Sequence, residues 1–252
     1  MIMGAFLGLL QTASPDLAWT TVQRGALKAA SAEYDVGITL SAACRDSSFV
    51  VAIAGLPPVE GNAEYRKLDV SLRDNTLVSS NWNIAPNSSG SVVVSLAPSV
   101  YARRLRATDS FTIRIPAQGE TPARRYQLAL PSDHTALDAI MASCDVPFEN
   151  PADAAYDPSE THIIWERTPR ITIPSTLPST DYAEVLVQCS VDGEGRPQDC
   201  AVLEERPARS GFARHAIQMV RTGKVRQING EPIQAGSSFA TVMTYRVQDS
   251  PR

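Results

Sequence analysis

The 252-residue chain lacks the signatures on which most catalytic sites are built. It has no Gly-x-Ser-x-Gly elbow, no His-Glu-x-x-His pair, no phosphate loop and no Gly-x-Gly-x-x-Gly turn. Its three histidines, His134, His162 and His215, are scattered, so no close ligand pair for a structural zinc exists. No Cys-x-x-Cys is present, which removes the usual redox-active pair. Aromatic residues make up only 6% of the chain, and the net charge of −4 gives no overall attraction to nucleic acid or anionic lipid. The longest apolar run, residues 1–10, is about half of what a membrane-spanning helix needs.

What is present is a soluble-protein composition, 43% hydrophobic and 20% charged, with more proline (18) than glycine (14). Short runs of Val, Thr and Ser bounded by turn residues predict mainly strands, and the length fits two domains. Residues 1–13 fit the apolar core and small-residue cleavage site (Gln11, Thr12, Ala13) of an export signal, although no Lys or Arg precedes them. A buried N-terminal strand or helix is the alternative. Residues 14–146 form a predicted β-rich domain. Val36, Ile38, Leu40, Ala42 and Cys44 share one face at period two, and a closing helix carries Leu137, Ile140, Met141 and Cys144 on one stripe. Ser132 or Asp133 can cap that helix. Residues 147–166, rich in acid and proline, read as a linker. Residues 167–249 form the second domain, and from 167 onward basic residues outnumber acidic ones by 11 to 9.

The four cysteines set the compartment. If Glu194 and Gly195 are the centre of a two-residue turn, Val191 faces Gln198 and Cys189 faces Cys200. Such a bond closes a short loop worth roughly 3 kcal/mol. Cys44 and Cys144 lie on apolar faces at the two ends of the first domain, and joining them closes a loop worth roughly 4 to 5 kcal/mol. Four buried free thiols in a cytosolic protein are the alternative. Two bonds and an apolar leader together point to an oxidising compartment.

Residues 165–247 resemble the C-terminal domain of the TonB family of energy transducers. The resemblance runs through Trp165, Pro169 and Pro174, then Val185, Val187, Cys189 and Val191, then Gly195-Arg196-Pro197 with Asp199, Cys200 and Val202. It continues through a helix rich in Ala and Arg to the turn Gly230-Glu231-Pro232. The family's Tyr-Pro pair stands here as Ile173-Pro174. The resemblance implies an α+β chain whose second domain is an antiparallel three-stranded sheet with one packed helix. It implies a binding function, in which a peptide of an outer-membrane receptor pairs with the domain as an added strand. The last strand alternates Phe239, Thr241, Met243 and Tyr245 with Ala240, Val242 and Thr244. If it is a sheet edge, Phe239, Thr241, Val242, Met243 and Tyr245 are the binding residues; the alternative is a core strand with its edge covered.

The function expected from these readings is that of a non-enzymatic periplasmic protein, linked to TonB-type transport, with a protein or peptide partner, no nucleic acid, no transmembrane helix, no metal and no cofactor. The alternatives are a structural protein of envelope assembly and an enzyme with its site in the first domain. Ser132-Asp133-His134 are adjacent and cannot converge as a triad. Glu204 and Glu205 are expected on opposite strand faces. Asp192 to Gly195 lack the later ligands of a calcium loop. Arg206, Arg209, Arg214, Arg221, Lys224 and Arg226 read as a solvated basic face.

Overall fold

The computed structural model describes residues 17–59, 65–72, 77–117, 122–156, 163–170, 172, 182–206, 209–227 and 230–246. The expected export signal, residues 1–13, lies outside them. The chain is α+β and rich in strand, with three α-helices among the described residues.

Nine antiparallel strands make one large sheet: β1 (Thr20–Arg24), β2 (Leu27–Glu33), β3 (Thr39–Arg45), β4 (Ser48–Ala54), β5 (Tyr65–Ser71), β6 (Val78–Ile84), β7 (Val92–Val94), β8 (Ser110–Ile115) and β9 (Arg124–Ala129). Their spatial order is β1-β2-β3-β4-β7-β6-β5-β8-β9. The helices α1 (Pro98–Arg106) and α2 (Thr135–Ser143) pack on one face of it. Alternation explains this: Leu40, Ala42 and Cys44 of β3 and Phe49, Val51 and Ile53 of β4 are all buried, and the residues between them are not. Leu137, Ile140 and Met141 complete the core from α2, and Trp82 meets Tyr101 of α1 edge-on at 4.9 Å. The cap position of α2 falls to His134, without a side-chain cap bond, rather than to Ser132 or Asp133; the Asp133 carboxylate accepts from the Thr135 backbone N–H. The hairpin β1–β2 was not expected: β1 carries a single apolar residue, Val22, and is exposed throughout.

Both disulfides are formed. Cys44 joins Cys144, fixing the end of α2 to β3, and Cys189 joins Cys200. No free cysteine remains.

The second unit has a three-stranded antiparallel sheet of order β12-β11-β14, made by β11 (Tyr182–Val191), β12 (Pro197–Arg206) and β14 (Ser238–Arg246). The helix α3 (Ala213–Val220) covers one face. A two-stranded sheet of β10 (Ile163–Arg167) and β13 (Lys224–Gln227) lies beside it. This pair was not expected: residues 163–166, the end of the stretch read as a linker, form most of β10, and β13 has only four residues. The hairpin register differs from the expected one. Val191 pairs with Pro197 rather than Gln198, across a three-residue loop (193–195), and a bulge at Asp199, whose φ is +44°, then restores Gln188↔Ala201 and brings Cys189 to Cys200. The Asp192 carboxylate accepts from the backbone N–H groups of Arg196 and Glu194; the first of these bonds is the main cause of its lowered pKa. Gly195 is required at the tip: a Cβ there would lie 2.0 Å from the Val225 carbonyl oxygen of β13, where the Gly195 carbonyl accepts from Val225 N–H.

The two bonds should differ in worth. Replacing Cys44 and Cys144 by alanine is expected to cost about 4 to 5 kcal/mol in urea unfolding, and the Cys189–Cys200 pair roughly 3 kcal/mol, from the lengths of the loops they close. Equal losses would show that loop length does not govern them.

Candidate functional site

The three-stranded sheet is covered on both faces. Ala183, Val185, Val187, Cys189 and Val191 face α3, whereas Leu186 and Leu203 belong to the core of the large unit, with Ala240 and Val242 packed against it. The unbroken run Val185-Leu186-Val187 is the sequence signal of such two-sided burial.

Charges tie this junction together. Arg103 of α1 is 5% exposed and makes a two-pronged contact with Asp153, at 2.6 and 2.7 Å, in the 3-10 helix Pro151–Ala155. Its Nη2 also meets Glu204 of β12 at 3.0 Å. Arg206 is 4% exposed, pairs with Glu184 of β11, lies 3.2 Å from Glu204, and stands over the Phe49 ring of β4. Arg104 donates to the carbonyls of Asp153 and Tyr156, and Arg106 lies over the Phe148 ring. Residues 147–156, the first part of the stretch expected to be a linker, are thus packed on α1. Arg206 is a correction to the expected solvated basic face: a bulge between Val202 and Glu204 sets Glu204 and Arg206 on the inner side of the junction. Glu205 takes the opposite face, as expected, and accepts from the Phe212 and Ala213 N–H groups at the start of α3.

Two arginines here face three carboxylates. Burial raises the Glu204 carboxyl above its usual range, against the opposing pull of Arg103. Burial works to lower the Arg103 pKa, and the bonds and charges of Asp153 and Glu204 outweigh it and raise it.

Beside this network, between the outer face of the large sheet and the second unit, lies a cleft of about 940 Å³. Its walls include Tyr65, Lys67 and Asn83 from β5 and β6, Ile163 and Trp165 from β10, and Ala240, Thr241, Val242 and Thr244 from β14. Among the described residues β14 pairs only with β11, so it is an edge of its sheet. The ladder fixes which groups face outward. Val191 N–H donates to Ser237 C=O, and Gly236 N–H, at φ +87°, donates back to Val191 in a bulge. Pairing alternates along an antiparallel ladder. The backbones of Phe239, Thr241, Met243 and Tyr245 therefore bond to β11, and those of Ala240, Val242 and Thr244 turn N–H and C=O to the open edge.

Of the five expected binding residues, Thr241 and Val242 border the cleft, as does Phe239, whose ring meets Trp165 edge-on at 5.3 Å. Met243 and Tyr245 turn to α3: Tyr245 stacks on Phe212 at 4.2 Å and bonds His215, and burial pushes its pKa to about 12. His215 is half-buried through that contact rather than simply solvated. Ala240 and Thr244 were missed as edge residues because the outward phase depends on the Gly236 bulge. Among the described residues no cluster of His, Cys, Asp and Glu could hold a metal ion. No described helix is long and apolar enough to cross a membrane.

Comparison with known proteins finds no matching family model, no matching curated protein and no matching solved structure.

The charge count at the junction is testable. Glu204→Gln leaves two cations against two carboxylates and should cost less than about 1 kcal/mol at pH 7, whereas Arg103→Met strands buried carboxylates and should cost about 3 to 5 kcal/mol. Because the folded-state pKa of Glu204 is raised, its protonation favours the fold. The stability of the native chain relative to Glu204→Gln should rise as pH falls from 7 through the raised pKa, and level off below the unfolded carboxyl range. Denaturant titrations across pH 4–7 on both chains read this directly; a relative stability that falls on acidification would contradict it.

Proposed function

We propose that this is a non-enzymatic exported protein of the cell envelope whose second unit binds an extended peptide segment by strand addition at β14. The observation that carries the reading is the row of outward backbone groups at Ala240, Val242 and Thr244, bordering a cleft large enough for a strand. The three-stranded antiparallel sheet with one helix on its face is also what a TonB C-terminal domain would have, and the sequence resemblance covers the same residues. On this reading the partner is a protein segment, with the periplasmic part of an outer-membrane receptor as the family's example, and the link is to TonB-type transport. The two disulfides support an oxidising compartment such as the periplasm. Against a catalytic reading, the ionisable groups lining the cleft near Glu204 are engaged with one another in the junction network.

The test uses a fluorescein-labelled nonapeptide of alternating Val and Thr, followed by anisotropy. Val242→Pro removes an outward donor that β11 does not use, so the sheet should survive by circular dichroism while affinity falls at least about tenfold. A peptide N-methylated at alternate residues probes the same bonds without altering the protein, and should bind in one methylation phase and fail in the other. Equal binding by both phases, or no loss in the proline variant, would overturn strand addition.

A further inference from the structure

The cleft also carries side-chain information about the segment that would enter it, an inference resting on the strand-addition reading above. A strand added to β14 continues its two faces. Side chains in step with Ala240, Val242 and Thr244 turn to the side on which Ala240 and Val242 pack against the large unit. Those in step with Thr241 turn to the side on which Trp165 packs against Phe239.

The two sides differ in chemistry. On the first, Tyr65 and Lys67 stand two residues apart on β5, directly opposite Asn83 and Asn81 of β6, so all four share the outer face of the large sheet. Tyr65 is 54% exposed, and Lys67 is exposed as well. The cleft is lined by two cations, Arg206 and Lys67. Arg206 is committed to Glu184 and Glu204. Lys67 has no anionic partner among the described residues. The nearest acid along its own strand, Asp69, is held by Arg114 and Ser79. On the second side, the half-buried Ile163 and Trp165 offer apolar surface, with Phe239 buried behind Trp165.

We propose that the cleft selects an acidic, two-faced strand: a segment of alternating residues whose apolar side chains meet Ile163 and Trp165, and whose polar side chains include a carboxylate that pairs with Lys67. Asn83 and the Tyr65 hydroxyl supply hydrogen bonds beside that carboxylate. A carboxylate placed there meets a cation that has no anionic partner among the described residues, at the edge of a partly water-excluded cleft, and a basic side chain in its place is repelled.

Two labelled nonapeptides test this on the full chain, one alternating Val with Thr and a central Glu, the other identical with a central Lys. The Glu peptide should bind about tenfold more tightly, with a preference that shrinks as salt rises. Lys67→Glu should reverse the preference, and Lys67→Met should abolish it; both lie on an exposed face and leave the fold intact. Equal binding of the two peptides, with both still lost on Val242→Pro, would overturn the acidic selection and leave strand addition standing. Failure of both peptides to bind at millimolar concentration would overturn strand addition itself, and the selection with it.

Discussion

Arg103 is the point through which the two units are held. Its guanidinium fork spans the Asp153 carboxylate and reaches Glu204, so one buried cation binds the helix α1, the segment at 150–156 and the strand β12. A buried cation is tolerable only where its donors are fully used, and here Pro147 C=O accepts a further bond at 3.3 Å. Glu204 carries the contact on to Arg206, and Arg206 to Glu184 and the Phe49 ring. Removing Arg103 would leave Asp153 without its cation and Glu204 with Arg206 alone.

That arrangement dictates where the second sheet can be open. Its faces are occupied, one by α3 and the other by the large unit, with the apolar residues of β11 divided between them. Burying both faces leaves a sheet only its edges for binding, and main-chain groups at an edge recognise backbone rather than side chains. The large sheet then supplies what an edge cannot, a wall of side chains at Tyr65, Lys67 and Asn83. In the proposed binding, affinity would come from one unit and selectivity from the other, a division of labour that the charged junction between them would have to hold in register.

Much of the architecture was legible in the sequence. Period two in Leu40, Ala42 and Cys44 and the stripe Leu137, Ile140, Met141 and Cys144 located a strand, a helix and the bond between them, because burial on one face leaves a periodic signal. The Cys189–Cys200 bond was legible for an incomplete reason: the loop holds three residues, 193–195, rather than two, which shifts the pairing at Val191 by one, and the bulge at Asp199 makes up the difference. Local periodicity carries no mark of such a bulge. The cleft was illegible. It depends on Arg206 turning inward and on Lys67, more than a hundred residues away along the chain, sharing a space with Val242. A charged residue at a strand end looks the same whether it meets water or a buried carboxylate.

The open edge of β14 is the claim on which the binding account rests, and amide hydrogen exchange resolved by residue measures it without any partner. The account predicts fast exchange at Ala240 and Val242, whose amides face outward, and slow exchange at the interleaved Thr241 and Met243, whose amides bond to β11. Uniform protection along the whole strand would mean that the edge is already covered, and would contradict it.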